Sequence, residues 1–205
     1  MMFLKKIIPL CLLPFLSGCF SLFPKPADPP RIYTLTPKST FPAELPNVQG
    51  LIIIEQPHVG ADIETEKITV HLTPHKVDYY KQAKWIERAH KMMQNLIVES
   101  FENSRKITAI ASDAAKLRSD YLLMTELKEF QAESYHNPQE TRVHVALNAK
   151  LIKMPERKLV TSQNFDQVIV SPSLKMDEIV SAFDKAAGKI LKKLVIWTVN
   201  SIQKK

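Results

Sequence analysis

Glycine is nearly absent from this sequence, with four in 205 residues and only Gly50, Gly60 and Gly188 after residue 18. Residues so far apart cannot build a glycine-rich phosphate cradle, so a nucleotide-hydrolysing domain of that type is excluded. Cysteine is scarcer, with Cys11 and Cys19 alone. If the chain is processed ahead of Cys19, one thiol remains, and neither an internal disulfide nor a cysteine-based metal site can form. Long apolar runs are missing too. Residues 7–16 are broken by Pro9 and Pro14, whereas a spanning helix needs roughly 20 apolar residues. No Gly-x-Ser-x-Gly elbow and no His-Glu-x-x-His pair occurs, so the common hydrolase and zinc-protease signatures are absent.

What is present begins with the leader. Lys5 and Lys6 form a positive start, residues 7–16 an apolar stretch, and Leu16-Ser17-Gly18-Cys19 closes it. The order is that of an export signal, and the last four residues resemble a bacterial lipoprotein processing site. Leu16, Ser17 and Gly18 would be read by the peptidase, and Cys19 would carry diacylglycerol and an N-acyl chain. The expected organisation is a signal peptide over residues 1–18, a lipidated cysteine and tether over 19–30, and a single domain over 31–205. Residues 20–30 hold four prolines, and at about 3.1 Å per residue an extended tether of that length reaches roughly 35 Å.

Loss of residues 1–18 removes Lys5 and Lys6 and lowers the formal charge from +7 to +5. That mild excess suits an anionic lipid or an acidic partner, while nucleic acid is excluded by export and by the lack of a basic patch with stacking aromatics.

Along the domain, residues 31–36 alternate and predict a strand, and Leu51-Ile52-Ile53-Ile54 predicts a central strand buried on both faces. Residues 68–72 and 76–80 predict short strands or a hairpin. From residue 84 to about 103 the period becomes helical, with Ile86, Ala89, Met93, Leu96, Ile97 and Ser100 or Phe101 facing the core and Glu87, Arg88, Lys91, Gln94 and Glu99 facing away. Residues 107–111 predict a strand. Residues 121–134, 142–153 and 158–170 predict an antiparallel meander, with Val143, Val145, Leu147, Ala149 and Leu151 on one face and a polar stripe of Ser162, Asn164 and Asp166 on the last strand. A final helix spans about residues 176–202, burying Ile179, Phe183, Ala187, Ile190 and Leu194, with acids at its start and lysines beyond, an arrangement that complements the helix dipole at both ends.

Lys185, Lys189, Lys192 and Lys193 share a face of that helix and are candidates for contact with lipid headgroups or an acidic partner. The six histidines (His58, His71, His75, His90, His136, His144) show no ligand spacing, since His71 and His75 fall on strand and turn. Glu126 with Glu129 or Glu133 could form a carboxylate pair, but charge decorating an exposed strand end is the simpler reading. No catalytic residue, metal ligand or cofactor is expected apart from the lipid on Cys19.

Several short motifs occur in order: Tyr33-Thr34-Leu35 at the first strand, Trp85 opening the long first helix, Ser119-Asp120-Tyr121-Leu122-Leu123 ahead of Glu129 and Phe130, and a lysine-bearing last helix. In this order the chain resembles the ABC-type transport auxiliary lipoprotein family. The resemblance implies an α+β fold like the N-terminal domain of TolB, a mixed, largely antiparallel sheet packed against two long amphipathic helices. It also implies a docking role in an MCE-type phospholipid transport system, with an MCE-domain periplasmic protein and an inner-membrane permease and ATPase as partners and a homo-oligomeric ring as one form of assembly. The expected location is the periplasmic face of the outer membrane, because Phe20 is not the aspartate associated with inner-membrane retention. The alternatives are a lipid-carrying lipoprotein and an assembly lipoprotein of a secretion or Tol-like machine.

Overall fold

A computed structural model of the chain describes residues 28–137 and 139–203, apart from the side chain of His136. The expected processing site at Leu16, Ser17, Gly18 and Cys19 and most of the tether lie outside the described residues. Nine strands form one mixed sheet: β1 (Arg31–Tyr33), β2 (Val48–Ile54), β3 (His58–Val59), β4 (Lys67–Thr73), β5 (Lys76–Trp85), β6 (Ile107–Ser112), β7 (Tyr121–Asn137), β8 (Glu140–Lys153) and β9 (Lys158–Val170). Two helices, α1 (Ala89–Ser104) and α2 (Met176–Gln203), complete the α+β fold.

The β7 strand organises the sheet because its 17 residues outlast any single partner. Along it, β2, β3 and β4 pair in succession, all parallel, while β8 runs antiparallel to it nearly throughout. The long ladders, β7–β8 and β8–β9, are the antiparallel ones and form the predicted meander. As its β-branched run implies, β2 is central, with β6 and β7 on either side and Ile52 and Ile54 fully buried.

Strict alternation places Val143, Val145, Leu147, Ala149 and Leu151 of β8 in the core, and α2 lies over them with Ile179, Phe183, Ala187, Ile190 and Leu194 buried. Trp85, Phe130 and Phe183 meet at the centre, with ring centroids 5.1–5.5 Å apart. Such burial and ring packing, edge-on between Trp85 and Phe183 and tilted in the other two pairs, make truncation of any of the three to alanine cost on the order of 3–5 kcal/mol.

The helical period was expected to begin at residue 84, but α1 begins at Ala89. Residue 85 is held in the strand and residue 86 in the bend that follows it, because the Trp85 N–H donates to the Glu66 carbonyl at 2.7 Å and the Ile86 N–H to that of Tyr33 at 2.8 Å. Trp85 therefore enters the core from a strand, and Ile86, predicted buried, is 59% exposed. Gln94, predicted to face solvent, is buried, its amide nitrogen donating to the Ile54 carbonyl at 3.0 Å and to Asp113 Oδ1 at 2.8 Å. The first strand stops at Tyr33 rather than at residue 36. There Thr36 turns to α2: its N–H donates to Asp184 Oδ1 at 2.7 Å, and its hydroxyl to both oxygens of that carboxylate at 2.8 and 3.0 Å.

One more correction concerns α2. Lys185, Lys189, Lys192 and Lys193 occupy its middle, and its last described turn holds no basic residue. Asp177 and Glu178 do complement the N-terminal end of the dipole, but these four lysines do not complement the C-terminal end, because the effect fades beyond the last turn.

Candidate functional site

Two polar regions lie on opposite sides of the sheet. The first runs along the solvent side of α2. Spacings of four and three residues stack Lys185, Lys189 and Lys192 on one helix face, and the segment after β1 supplies a wall. That wall is fixed twice: Thr36 is tied to Asp184 as above, and Lys38 donates its N–H to Ser100 Oγ of α1 at 2.9 Å and accepts from Asn103 Nδ2 at 3.2 Å. Between wall and helix is a groove of about 510 Å³ lined by Lys38, Asp184, Lys185, Gly188, Lys189 and Lys192, among others. Lys193, predicted to share this surface, is exposed but does not line the groove. Lys38 was not foreseen, because nothing local in residues 36–39 announces that they cross to α2.

The second region is the open face of the β7–β9 meander. Strand register sets Glu133, His144 and Asp166 side by side there. The His144 Nδ1 lies 3.2 Å from Glu133 Oε1, and its Nε2 lies 2.9 Å from Asp166 Oδ2. Partial burial alone would lower the imidazole pKa, but the hydrogen bonds and negative charges of Asp166 and then Glu133 outweigh it and raise the pKa above 6.5. Gln131 Nε2 donates to Glu129 Oε2 at 2.7 Å, and the Tyr135 hydroxyl hydrogen-bonds Glu133. Burial first, and then the Glu133 charge, raise the Tyr135 pKa above 10.0. A hollow of about 520 Å³ opens here, lined by His71, Glu129, Arg142 and His144 among others.

The carboxylates predicted as exposed decoration divide in two. Glu126 is exposed as expected, but Glu133 is only 7% exposed and serves His144. Single-sequence reading missed this cluster because 11 and 22 residues separate His144 from its partners, and only the strand register joins them. With a carboxylate on each ring nitrogen, His144 has no free nitrogen for a substrate proton or a metal. Of the other histidines, His71 of β4 lines the same hollow as His144, and His58 of β3 and His90 of α1 line a separate one beside Glu55 and Glu64, while His75 lies in the turn after β4. Among the described residues no group of three or more His, Cys, Asp or Glu could hold a metal ion.

The motif residues serve the fold. Tyr33 donates its hydroxyl to Asp177 at 2.6 Å, and Leu35 is buried. Trp85 and Phe130 belong to the central ring cluster. Asp120 Oδ2 accepts the Leu51 N–H at 2.7 Å beside Gly50, whose φ of +119° strains any side chain and where a Cβ would lie 2.8 Å from that same oxygen.

The crystal structure of protein XCC0632 from Xanthomonas campestris is similar to this chain, with a TM-score of 0.80, 28% identity, and coverage of 85% of this chain and 97% of that one. A crystal structure of an uncharacterised protein shares the fold at a TM-score of 0.64 and 14% identity, over 82% and 97% of the two chains. An uncharacterised protein of Bradyrhizobium diazoefficiens, bll6063, is 27% identical over 175 residues. These make up 82% of this chain and 44% of that protein, so the chain spans less than half of its relative. Residues 33–195 match the ABC-type transport auxiliary lipoprotein component, and the chain belongs to that family.

Proposed function

We propose that this protein is the docking lipoprotein of an MCE-type phospholipid transport system. Acylated at Cys19 and held at the periplasmic face of the outer membrane, it engages an MCE-domain protein that an inner-membrane permease and ATPase serve. Membership of a transport auxiliary family over residues 33–195 carries this reading. The leader supports the anchor: the order of charge, apolar stretch and Leu16-Ser17-Gly18-Cys19 is that of an acylated export signal. No helix among the described residues is long and apolar enough to cross a membrane.

Docking is favoured over lipid carriage by the filled interior. The space between sheet and helices, where an acyl chain would have to lie, is occupied by Trp85, Phe130, Phe183, Leu127 and Leu147, all at most 1% exposed. Among the described residues the 13-residue strand β9 pairs with β8 alone, so its outer edge is free, and Leu159, Val168 and Val170 along it are exposed. An unprotected edge of that length can accept a strand from a partner or from a second copy, which is how a ring would be built.

The test is affinity capture of the acylated protein from membranes, with identification of what accompanies it. A permease, an ATPase and an MCE-domain protein are expected. Secretion or Tol components in their place, or phospholipid retained by the detergent-purified protein in equimolar amount, would overturn the reading.

A further inference from the structure

The groove beside α2 carries a cost that the fold does not explain. Gly188 sits inside a 28-residue helix, and nothing lies within 4 Å of where its Cβ would be. A glycine in a helix interior weakens the helix relative to alanine, and here no close packing requires it. It lines the groove together with Lys185, Lys189, Lys192 and Lys38, so the bare backbone keeps the space between four cations open. Among the described residues none of these lysines has an ion-pair partner within 4.0 Å. The one acid in the lining, Asp184, already has both oxygens engaged by Thr36. From Lys185 to Lys192 the helix rises about 10 Å, a span that suits one phosphate group approached by several ammonium donors.

We infer that this groove seats the phosphate of an anionic phospholipid headgroup and so sets how the domain faces its membrane. The choice of a headgroup over a soluble phosphate rests on the proposed lipid anchor and on where the chain enters the domain. Arg31 and Tyr33 pack on Asp177 in the first turn of α2, so the tether arrives on the same helix, about 12 Å along its axis from Lys185. Charge complementarity does the rest, because lysines near an anionic bilayer gain about 1 kcal/mol each. Lys193 stands outside the seat.

The experiment uses the mature acylated protein in vesicles of phosphatidylcholine alone or mixed with phosphatidylglycerol, with lysine acetylation read site by site by mass spectrometry. Phosphatidylglycerol should slow acetylation of Lys38, Lys185, Lys189 and Lys192 by about fivefold, the factor equivalent to about 1 kcal/mol. Lys193, and Lys128 and Lys150 on the meander, should be left nearly unchanged. Gly188→Leu, which fills the groove with a better helix former, should abolish the protection while the melting temperature holds or rises. Should that variant misfold, Lys189→Glu with Lys192→Glu should remove protection of Lys38 and Lys185.

Equal rates in both vesicles would overturn the inference, as would protection of Lys193 to the same degree or protection that survives Gly188→Leu. Equal protection by inorganic phosphate over phosphatidylcholine would overturn the headgroup assignment. The mass of the Cys19 peptide reports acylation in the same sample. An unacylated cysteine would break the lipoprotein reading separately, and vesicles added to the unanchored chain would still test the groove.

Discussion

Glu133, Asp166 and His144 answer one another within 3.2 Å on the open face of the meander, whereas the lysines along α2 line a groove whose single acid, Asp184, is engaged by Thr36, and among the described residues none of them has an ion-pair partner. Both regions are polar, and both surround hollows of similar size, about 520 and 510 Å³. The difference lies in where the charges find their partners. A cluster whose groups are hydrogen-bonded to one another gains little from a ligand and mainly fixes strand register, while like charges held side by side by a rigid helix gain most when an anion arrives. Density of titratable groups would have pointed to the histidine cluster as the site. Unsatisfied charge points to the groove.

The largest expected effect comes from removing the layer that separates the two regions. Trp85→Ala should cost about 3–5 kcal/mol in urea denaturation, and a loss below about 1 kcal/mol would show that the ring cluster does not hold sheet and helix together. Next comes Gly50→Ala at the β2–β7 seam, where positive φ and the close Asp120 carboxylate combine. A loss of about 1–3 kcal/mol is expected, and an unchanged midpoint would refute the strained seat.

A third test isolates the paired cluster. Because the folded state raises the His144 pKa above 6.5, its contribution to stability is complete below pH 6.5 and is lost as pH rises through the higher folded value. The wild type should therefore lose stability relative to His144→Gln over that interval, and parallel pH profiles for the two proteins would remove the cluster's claim to be paired. The smallest effect is expected at the groove. Lys189→Ala should leave the denaturation midpoint where it was, since the side chain is exposed and has no ion-pair partner among the described residues. A clear loss of stability would mean that the lysines hold the fold.

Elements governed by local period were legible in the sequence. The alternation along β8, the β-branched run of β2 and the apolar stripe of α2 emerged as read, because burial of one face leaves little freedom in register or rotation. Trp85 did not, since its neighbours fit a helical period and it is held in a strand by backbone bonds to distant residues, its own N–H to Glu66 and that of Ile86 to Tyr33. Gln94, Glu133 and Lys38 failed for the same reason: each takes its role from a residue distant in sequence. The candidate groove was thus half legible. Its helix lysines were visible from spacing, while Lys38 depended on how the chain crosses after β1.

That crossing also fixes how the domain takes mechanical load. A pull on the chain ahead of Arg31 acts first on the contacts of Arg31 and Tyr33 with Asp177, then on the clasp between Thr36 and Asp184. The central aromatic cluster lies behind these, in β5, β7 and α2. Tension would therefore strip the three-residue β1 from β5, peel away the wall bearing Lys38 and open the lysine groove while the rest of the sheet stayed paired, so that a slack chain and a taut one would present different surfaces from the same folded body.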